Sequence, residues 1–293
     1  MVDERQRTVG VVGLGAMGLP AALAFGAHGP VIAHDASGSA RRRAGSAGVT
    51  LAADLAELAQ SANTVVLSLP DAGVVEDVVR EICPQAPGLL VLDTSTIGPE
   101  EARHVAEVAH EHGSTYLDTP VLGRPESVGE WTVPMGGPAS AHAAVSRILA
   151  PIAAKVVHVG DVGSAATLKV VNNLMFSVIN AVTAEALLLA EVSGLDPQVF
   201  VDTVLGSGAA TVSGLFRSVA PRAVAGDFNP IFSLDLVRKD NDLAVTLAAS
   251  AGLSLDVGQA ARDLHDRAVA AGYGEQDSIA VLRYLLDERA SSS

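Results

Sequence analysis

Three polar side chains lie close together within an otherwise apolar stretch of the sequence. Lys169 is followed at the third and fourth positions by Asn172 and Asn173, and residues with this spacing share one face of an α-helix. Burial of an amine and two amides costs free energy unless they have partners. It also favours the neutral amine, which can then take part in proton transfer. The cluster therefore indicates a site of acid–base chemistry, and a hydrated strip at a domain junction is the alternative.

A glycine-rich turn is the second indication of chemistry. The valine-rich run at residues 9–12 is followed by three glycines with the spacing Gly-x-Gly-x-x-Gly, and then by a helical pattern. In such a unit the first glycine allows a tight turn, the second lets the backbone approach a pyrophosphate, and the third lets the helix pack against the strand. The amino end of the helix then faces the phosphates. We expect the whole turn to contact a dinucleotide: Gly13, Leu14, Gly15, Ala16, Met17 and Gly18.

An acidic residue follows at the distance expected for the ribose of the same ligand. Asp35 ends the second strand-like run, 22 residues after Gly13. In dinucleotide-binding folds such an acid accepts hydrogen bonds from ribose hydroxyls, and it repels the 2′-phosphate of NADP. The sequence therefore predicts NAD as the cofactor, with NADP less favoured. Two alternatives stay open: Asp35 caps the next helix, or the arginines at 41–43 meet a 2′-phosphate.

Two kinds of element must position these residues. Strand-like and helix-like stretches alternate up to about residue 160, which is typical of a doubly wound parallel sheet. After Gly163 no convincing strand pattern remains, and residues 164–193 contain neither Gly nor Pro. The predicted fold class is α/β: a Rossmann-type NAD-binding domain over residues 1–162, then an all-helical substrate and dimerisation domain over residues 163–293. The helix from 164 is apolar on nearly all faces, which suggests burial between two domains or two subunits. We expect a homodimer or homotetramer.

Composition excludes several classes of protein. The 293 residues carry a formal charge of -14, which argues against nucleic-acid and anionic-membrane partners. Cys83 is the single cysteine, so no intramolecular disulfide is possible. His110 and His112 point in nearly opposite directions on a helix, so we expect no metal site.

No uninterrupted apolar run reaches the ~18 residues of a membrane span, and the first residues lack the pattern of a signal peptide. We expect a soluble, cytoplasmic protein.

Together the motifs resemble those of the β-hydroxyacid dehydrogenases, the family of 3-hydroxyisobutyrate dehydrogenase. The resemblance spans essentially the whole chain and rests on Gly13-Leu14-Gly15-Ala16-Met17-Gly18-Leu19-Pro20, Asp93-Thr94-Ser95-Thr96-Ile97-Gly98-Pro99, Asp118-Thr119-Pro120-Val121, Lys169 to Asn173, and Arg238-Lys239-Asp240. It implies hydride transfer between NAD and a small anionic β-hydroxy acid or its semialdehyde, with Lys169 as the catalytic acid or base and Asn173 as its partner. The cofactor contacts that it implies are Leu69, Pro70, Thr96 and Lys239.

Further segments are similar to those of sulfolactaldehyde reductases within this family. They are Gly226-Asp227-Phe228-Asn229-Pro230-Ile231-Phe232 and Gly274-Glu275-Gln276-Asp277. The substrate contacts implied are Gly123, Arg124, Asn172 and Phe232. However, Leu122-Gly123-Arg124 stand where many members have Ser-Gly-Gly, and the arginine is one position later than in the reductases. A surface arginine paired with Glu126 or Glu130 is therefore the alternative for Arg124.

Two other functions share this fold. One is an NADP-dependent imine reductase, and the other is a non-catalytic relative that senses a nucleotide. Imine reductases of this fold usually lack the lysine, and the non-catalytic relatives lose it or add a reader module, so Lys169 argues against the first and the sequence matches neither pattern of the second.

Overall fold

The computed structural model describes residues 8–209 and 211–291. The chain divides into two compact units, Met1–Lys169 and Val170–Ser293. The division falls inside the long helix, seven residues beyond the boundary expected from the sequence.

The first unit contains a seven-stranded sheet with helices. In chain order its elements are β1 (Val9–Val12), α1 (Gly18–Gly26), β2 (Val31–His34), α2 (Gly38–Ser46), α3 (Leu55–Ser61), β3 (Thr64–Leu67), α4 (Ala72–Ile82), β4 (Leu90–Asp93), α5 (Pro99–Glu111), β5 (Thr115–Asp118), β6 (Trp131–Gly136), α6 (His142–Leu149) and β7 (Ala153–Gly160). The strand order is β2-β1-β3-β4-β5-β6-β7. The prediction of a Rossmann-type sheet is confirmed.

The sheet is buried on both faces, which explains the valine-rich strands. In β3, Val65 and Leu67 belong to the core on one side of the sheet, and Val66 belongs to the core on the other side. A strand covered on both sides needs apolar residues at every position rather than at alternate ones.

One pair of strands departs from the parallel pattern. β5 and β6 are antiparallel, with Asp118 opposite Gly136, whereas the other neighbouring pairs in the sheet are parallel. Residues 119–130 between them form a loop with one short 3-10 turn at Pro125–Ser127. Without a crossover helix the chain reverses direction across this connection.

The second unit is helical, as predicted. It contains most of α7 (Ser164–Val192), then α8 (Pro197–Gly206), α9 (Gly214–Val224), α10 (Leu234–Ser250), α11 (Asp256–Ala268) and α12 (Val281–Ser291). The core joins the α7 residues Ala184 and Leu187 to side chains of the shorter helices, such as Phe216 and Leu264. A single bridge, between Ser233 and Asp277, is the one strand-like pairing among the described residues of this unit.

α7 is long and apolar enough to cross a membrane, judged by length and composition only. Polar residues such as Lys169, Asn173 and Asn180 interrupt its apolar stretch, so this test by average composition does not overturn the expectation that no uninterrupted apolar run is long enough to span a membrane. One such helix is weak evidence for a span, since core helices of globular proteins meet the same test.

Candidate active site

Two of the three turn glycines are required by close packing. Gly13 has φ +93°, and a Cβ there would lie 2.2 Å from the carbonyl oxygen of Ser68. A Cβ on Gly18 would lie 1.9 Å from the carbonyl oxygen of Gly13. Gly15 is exposed, and a Cβ on it would meet nothing within 4 Å. The turn is therefore packed tightly at both ends and open to solvent in the middle.

The amino end of α1 suits a phosphate. Met17 precedes the helix without a capping side chain, and the first turn contains no acidic residue among the described positions. The positive end of the helix dipole and its amide hydrogens are thus not opposed by a carboxylate of the helix itself.

Asp35 ties the glycine turn to the second strand. Its Oδ2 accepts from the backbone N–H of Leu14 at 2.7 Å, and its Oδ1 accepts from that of Ser37 at 2.7 Å. The cap of α2 is the side chain of Ser37, so the alternative of Asp35 as the helix cap is wrong. The carboxylate is held in one orientation at the carboxyl end of β2.

The ends of three neighbouring strands meet at this edge of the sheet, as the sequence predicts. The N–H of Leu69 donates to Ser95 Oγ at 2.9 Å, and the N–H of Thr94 donates to the carbonyl of Leu67 at 2.8 Å. Exposed Pro70 and half-buried Thr96 lie just beyond these contacts. The candidate cofactor residues after β3 and β4 are thereby held beside the glycine turn that follows β1.

A buried carboxyl supports the turn after β4. Asp93 is 1% exposed, and it accepts from the N–H of Ser95 at 2.9 Å and from the hydroxyl of Tyr116 at 2.7 Å. Burial raises the pKa of Asp93, and burial beside this carboxyl raises that of Tyr116. Sequence analysis missed this role, although Asp93 stands in a motif that carries the family resemblance.

Asp118 anchors the helix that carries Lys169. Its Oδ1 accepts from the N–H of Gly163 at 3.0 Å and its Oδ2 from that of Ala166 at 2.8 Å. Lys169 is half-buried, and its Nζ donates to the carbonyl of Val121 at 2.8 Å. The loop after β5 therefore fixes the first turns of α7 and also contacts the lysine. Sequence analysis missed the role of Asp118, because its partners lie more than forty residues away along the chain.

The loop that carries Gly123 and Arg124 is packed around an indole. A Cβ on Gly123 would lie 2.2 Å from the ring of Trp131, so the glycine is required there by packing whether or not it contacts a substrate. The indole N–H donates to the carbonyl of Arg124 at 2.7 Å. Trp131 is 1% exposed, and Arg124 is half-buried. The backbone of Arg124 is thus fixed by the core beneath it.

In the second unit, Asn173 belongs to a chain of polar contacts. It is 6% exposed; its Nδ2 donates to Asp240 Oδ2 at 2.5 Å, and its Oδ1 accepts from Asn172 Nδ2 at 3.0 Å. Lys239 Nζ lies 3.0 Å from Asp240 Oδ1. The carboxylate of Asp240 thus joins Asn173, the predicted catalytic amide, to Lys239, the predicted cofactor contact. This role of Asp240 was not predicted from the sequence.

Phe232 lies in a segment that is held by Asp277, a residue near the carboxyl end of this unit. The carboxylate of Asp277 accepts from the N–H of Ile231 at 2.9 Å, and it pairs with Arg222 at 3.1 Å. The ring of Phe232 packs edge-on against that of Phe176, with the centroids 5.3 Å apart. Residues 226–232 and 274–277, the two segments that resemble the sulfolactaldehyde reductases, are therefore in contact, although Ile231 and Asp277 are 46 residues apart in the sequence.

Among residues 8–209 and 211–291, no group of three or more His, Cys, Asp or Glu side chains could hold a metal ion. Lys169 and Asn173 are four residues apart in the sequence of α7.

Two family patterns together match nearly the whole chain. Residues 8–160 match the NAD-binding domain of 6-phosphogluconate dehydrogenase. Residues 163–285 match the pattern described as the NAD-binding part of NADP-dependent 3-hydroxyisobutyrate dehydrogenase.

Individual relatives match over almost their full length. A probable 3-hydroxyisobutyrate dehydrogenase of Mycobacterium tuberculosis is 32% identical over 287 residues, covering 95% of this chain and 97% of the relative. The 3-sulfolactaldehyde reductase of Escherichia coli is 31% identical over 283 residues, covering 94% of each chain. A crystal structure of 3-hydroxyisobutyrate dehydrogenase from Salmonella typhimurium superposes with a TM-score of 0.87 at 29% identity, covering 94% of this chain and 99% of that one.

Proposed function

Because the chain belongs to the β-hydroxyacid dehydrogenase family, we propose that it interconverts a small anionic β-hydroxy acid and its semialdehyde with a nicotinamide dinucleotide. The observation that carries the proposal is the placement of Lys169. The lysine is half-buried, it donates to the carbonyl of Val121, and its helix is anchored by two bonds to Asp118. A fixed amine of this kind suits acid–base work on an alcohol or aldehyde.

The residues at the edge of the sheet fit a dinucleotide. The open space over Gly15 and the uncapped amino end of α1 suit a pyrophosphate, and the fixed carboxylate of Asp35 suits ribose hydroxyls. A bound nicotinamide supplies or accepts the hydride. We propose NAD as the preferred cofactor, because the oriented carboxylate would lie close to a 2′-phosphate and repel it.

Proton transfer is assigned to Lys169. In reduction its ammonium donates a proton to the forming alkoxide, and in oxidation its neutral amine accepts the proton from the hydroxyl. Asn173 orients the reactants through an amide that is itself held by Asp240 and Asn172. Asn172 and Phe232 complete the proposed substrate contacts, and Lys239 completes those to the cofactor.

The substrate is proposed to carry a carboxylate or sulfonate. With a formal charge of -14, the protein repels anions at long range, so an anionic substrate needs a cation placed for it. Arg124 has the planar donor pair that suits either group, and the packing of Trp131 holds its backbone.

We also propose that the protein is a cytoplasmic homodimer or homotetramer. The outer face of α7 presents the apolar side chains Val171, Met175, Val182 and Leu189, which are between 51% and 64% exposed. Their spacing of four and seven residues lines them up along one side of the helix. These aligned side chains form an apolar stripe, interrupted by exposed Glu185, that favours contact with a second chain.

The test is a panel of β-hydroxy acids, including 3-hydroxyisobutyrate and carboxylate or sulfonate analogues, incubated with NAD or NADP while NADH or NADPH absorbance is followed. The proposal predicts turnover of at least one anionic alcohol. Binding of the dinucleotide without turnover of any alcohol would contradict it and favour a nucleotide sensor. Turnover of cyclic imines alone would favour an imine reductase.

A further inference from the structure

Three fully buried polar side chains join three helices of the second unit. Ser177 on α7, Asn241 on α10 and His265 on α11 are each 0% exposed. Asn241 Nδ2 donates to Ser177 Oγ at 2.9 Å and to the carbonyl of Gly258 at 3.2 Å. Ser177 Oγ lies 3.4 Å from His265 Nδ1. The serine hydroxyl is thus the common partner of side chains from the two other helices.

This cluster lies one helical turn from the contact between Asn173 and Asp240. Ser177 follows Asn173 by four residues on α7, and Asn241 follows Asp240 directly on α10. α7 and α10 are therefore joined by two polar contacts in succession, Asn173 to Asp240 and Ser177 to Asn241. Two contacts fix both the sliding and the rotation of one helix against the other, which a single contact cannot do.

The cluster packs the three helices with buried polar groups that are not all hydrogen-bonded. In the part of the chain that the structure describes, Asn241 Oδ1 and His265 Nε2 have no hydrogen-bond partner, and neither does either side-chain polar atom of buried Asn180. Buried polar atoms without partners lower the free energy of unfolding. Burial also lowers the pKa of His265 to about 4, so the imidazole is neutral near pH 7. Apolar side chains of similar size would stabilise the same helix contacts better, so stability alone does not account for the cluster.

We propose that Asn241 is a positioning residue for Asn173, acting through Asp240 and braced by Ser177 and His265. By bonding to Ser177, Asn241 holds α10 in the register that brings the carboxylate of Asp240 to Asn173 Nδ2. The amide of Asn173 is thereby kept in one orientation, with its oxygen on the side of Asn172. The inference rests on the proposed function, because Asn173 orients the reactants there.

The first test is kinetic and uses Asn241→Leu, which keeps the approximate volume and removes the hydrogen bonds, and Ser177→Ala, which removes only the hydroxyl. We expect kcat to fall about 10-fold to 100-fold in Asn241→Leu, since small displacements of orienting groups have effects of this order. KM for the dinucleotide should change less than kcat, because the glycine turn and Asp35 supply most of the proposed cofactor contacts and only Lys239 lies on α10. Ser177→Ala should show a smaller loss of the same kind. The matched control is Thr183→Val, because among the described residues the buried Thr183 hydroxyl bonds within α7 alone, to the carbonyl of Ile179. The kcat of this control should stay at the wild-type value.

A double-mutant cycle separates positioning from general destabilisation. If Asn241 acts through Asn173, then Asn241→Leu should have little further effect on kcat in an Asn173→Ala background. Losses that multiply independently, measured well below the melting temperature of each variant, would overturn the proposal.

Crystal structures of the wild type and of the two variants give a readout that needs no substrate. We expect the bond from Asn173 to Asp240 to be lost or the amide to rotate in Asn241→Leu, and to lengthen in Ser177→Ala. An unchanged contact in both variants would overturn the inference. If the wild type turns over no hydroxy acid, the proposed function fails, whereas the geometry in the variants still decides whether Asn241 positions Asn173.

Discussion

The anchoring of α7 by Asp118 makes a quantitative prediction. In Asp118→Asn, one side-chain oxygen can still accept a hydrogen bond, but the new amide group presents hydrogens to the second backbone donor. The change removes one of two bonds to a charged group, each worth about 1.5–3 kcal/mol, and leaves a buried N–H without a partner at about 1–3 kcal/mol. Since these costs overlap, we expect the free energy of unfolding of the first unit to fall by about 3 kcal/mol.

The assay is denaturant unfolding followed by the fluorescence of Trp131, the single tryptophan of the chain. This indole is buried in the first unit, so its signal reports on that unit. Asp71→Asn is the matched control, because Asp71 is an exposed cap that accepts from one N–H, that of Val74, and asparagine caps nearly as well. We expect a change within about 0.5 kcal/mol in the control. Equal midpoints for wild type and Asp118→Asn would refute the reasoning.

Four further predictions follow from the same contacts. Asp35→Ala should lower kcat/KM with NAD and reduce the preference for NAD over NADP. A wild-type preference for NADP would contradict the role given to Asp35. Arg124→Ala should raise KM steeply for anionic substrates but not for small uncharged aldehydes, with Arg124→Lys in between; equal losses on both substrate classes would make the residue structural. His265 has a pKa of about 4 in the folded chain against 6.5 ordinarily. Its contribution to the free energy of unfolding is therefore present above about pH 6.5 and is lost as the pH falls to about 4, by up to about 3 kcal/mol. His265→Gln should flatten this part of the profile of stability against pH, and an unchanged profile would contradict the role given to His265. Sedimentation at micromolar concentration should show a dimer or tetramer that dissociates in Met175→Glu, whereas a monomeric wild type would contradict the apolar stripe on α7.

Local patterns were sufficient to predict the glycine turn and the strand that precedes it. Gly13 and Gly18 are recognisable because their spacing reflects contacts within a few residues of chain, and β3 is recognisable because burial on both faces requires continuous apolar residues. The helical second unit was also predictable, since residues 164–192 lack any helix breaker.

Contacts between distant residues account for what was missed. The antiparallel turn into β6 depends on a loop that contains no crossover helix, which periodicity does not reveal. Gly123 was interpreted as a substrate contact, but its closest constraint is the ring of Trp131. The bonds of Asp118 to α7, and of Asn241 to Ser177, join residues 45 to 64 positions apart. No single sequence shows such pairs, because each partner alone is an ordinary polar residue on a strand end or a helix.

We propose that Lys169 transfers the proton, while the glycine turn and Asp35 hold the dinucleotide. The variant Lys169→Ala tests this division of roles most directly. The measurement is kcat on the best hydroxy acid of the panel, together with the Kd for NAD from calorimetry on the same preparation. We expect kcat to fall by about 10²–10⁴-fold, with the Kd for NAD nearly unchanged, because the proposed phosphate and ribose contacts come from the glycine turn and Asp35. Activity within a few-fold of the wild type would remove Lys169 from the mechanism and contradict the account.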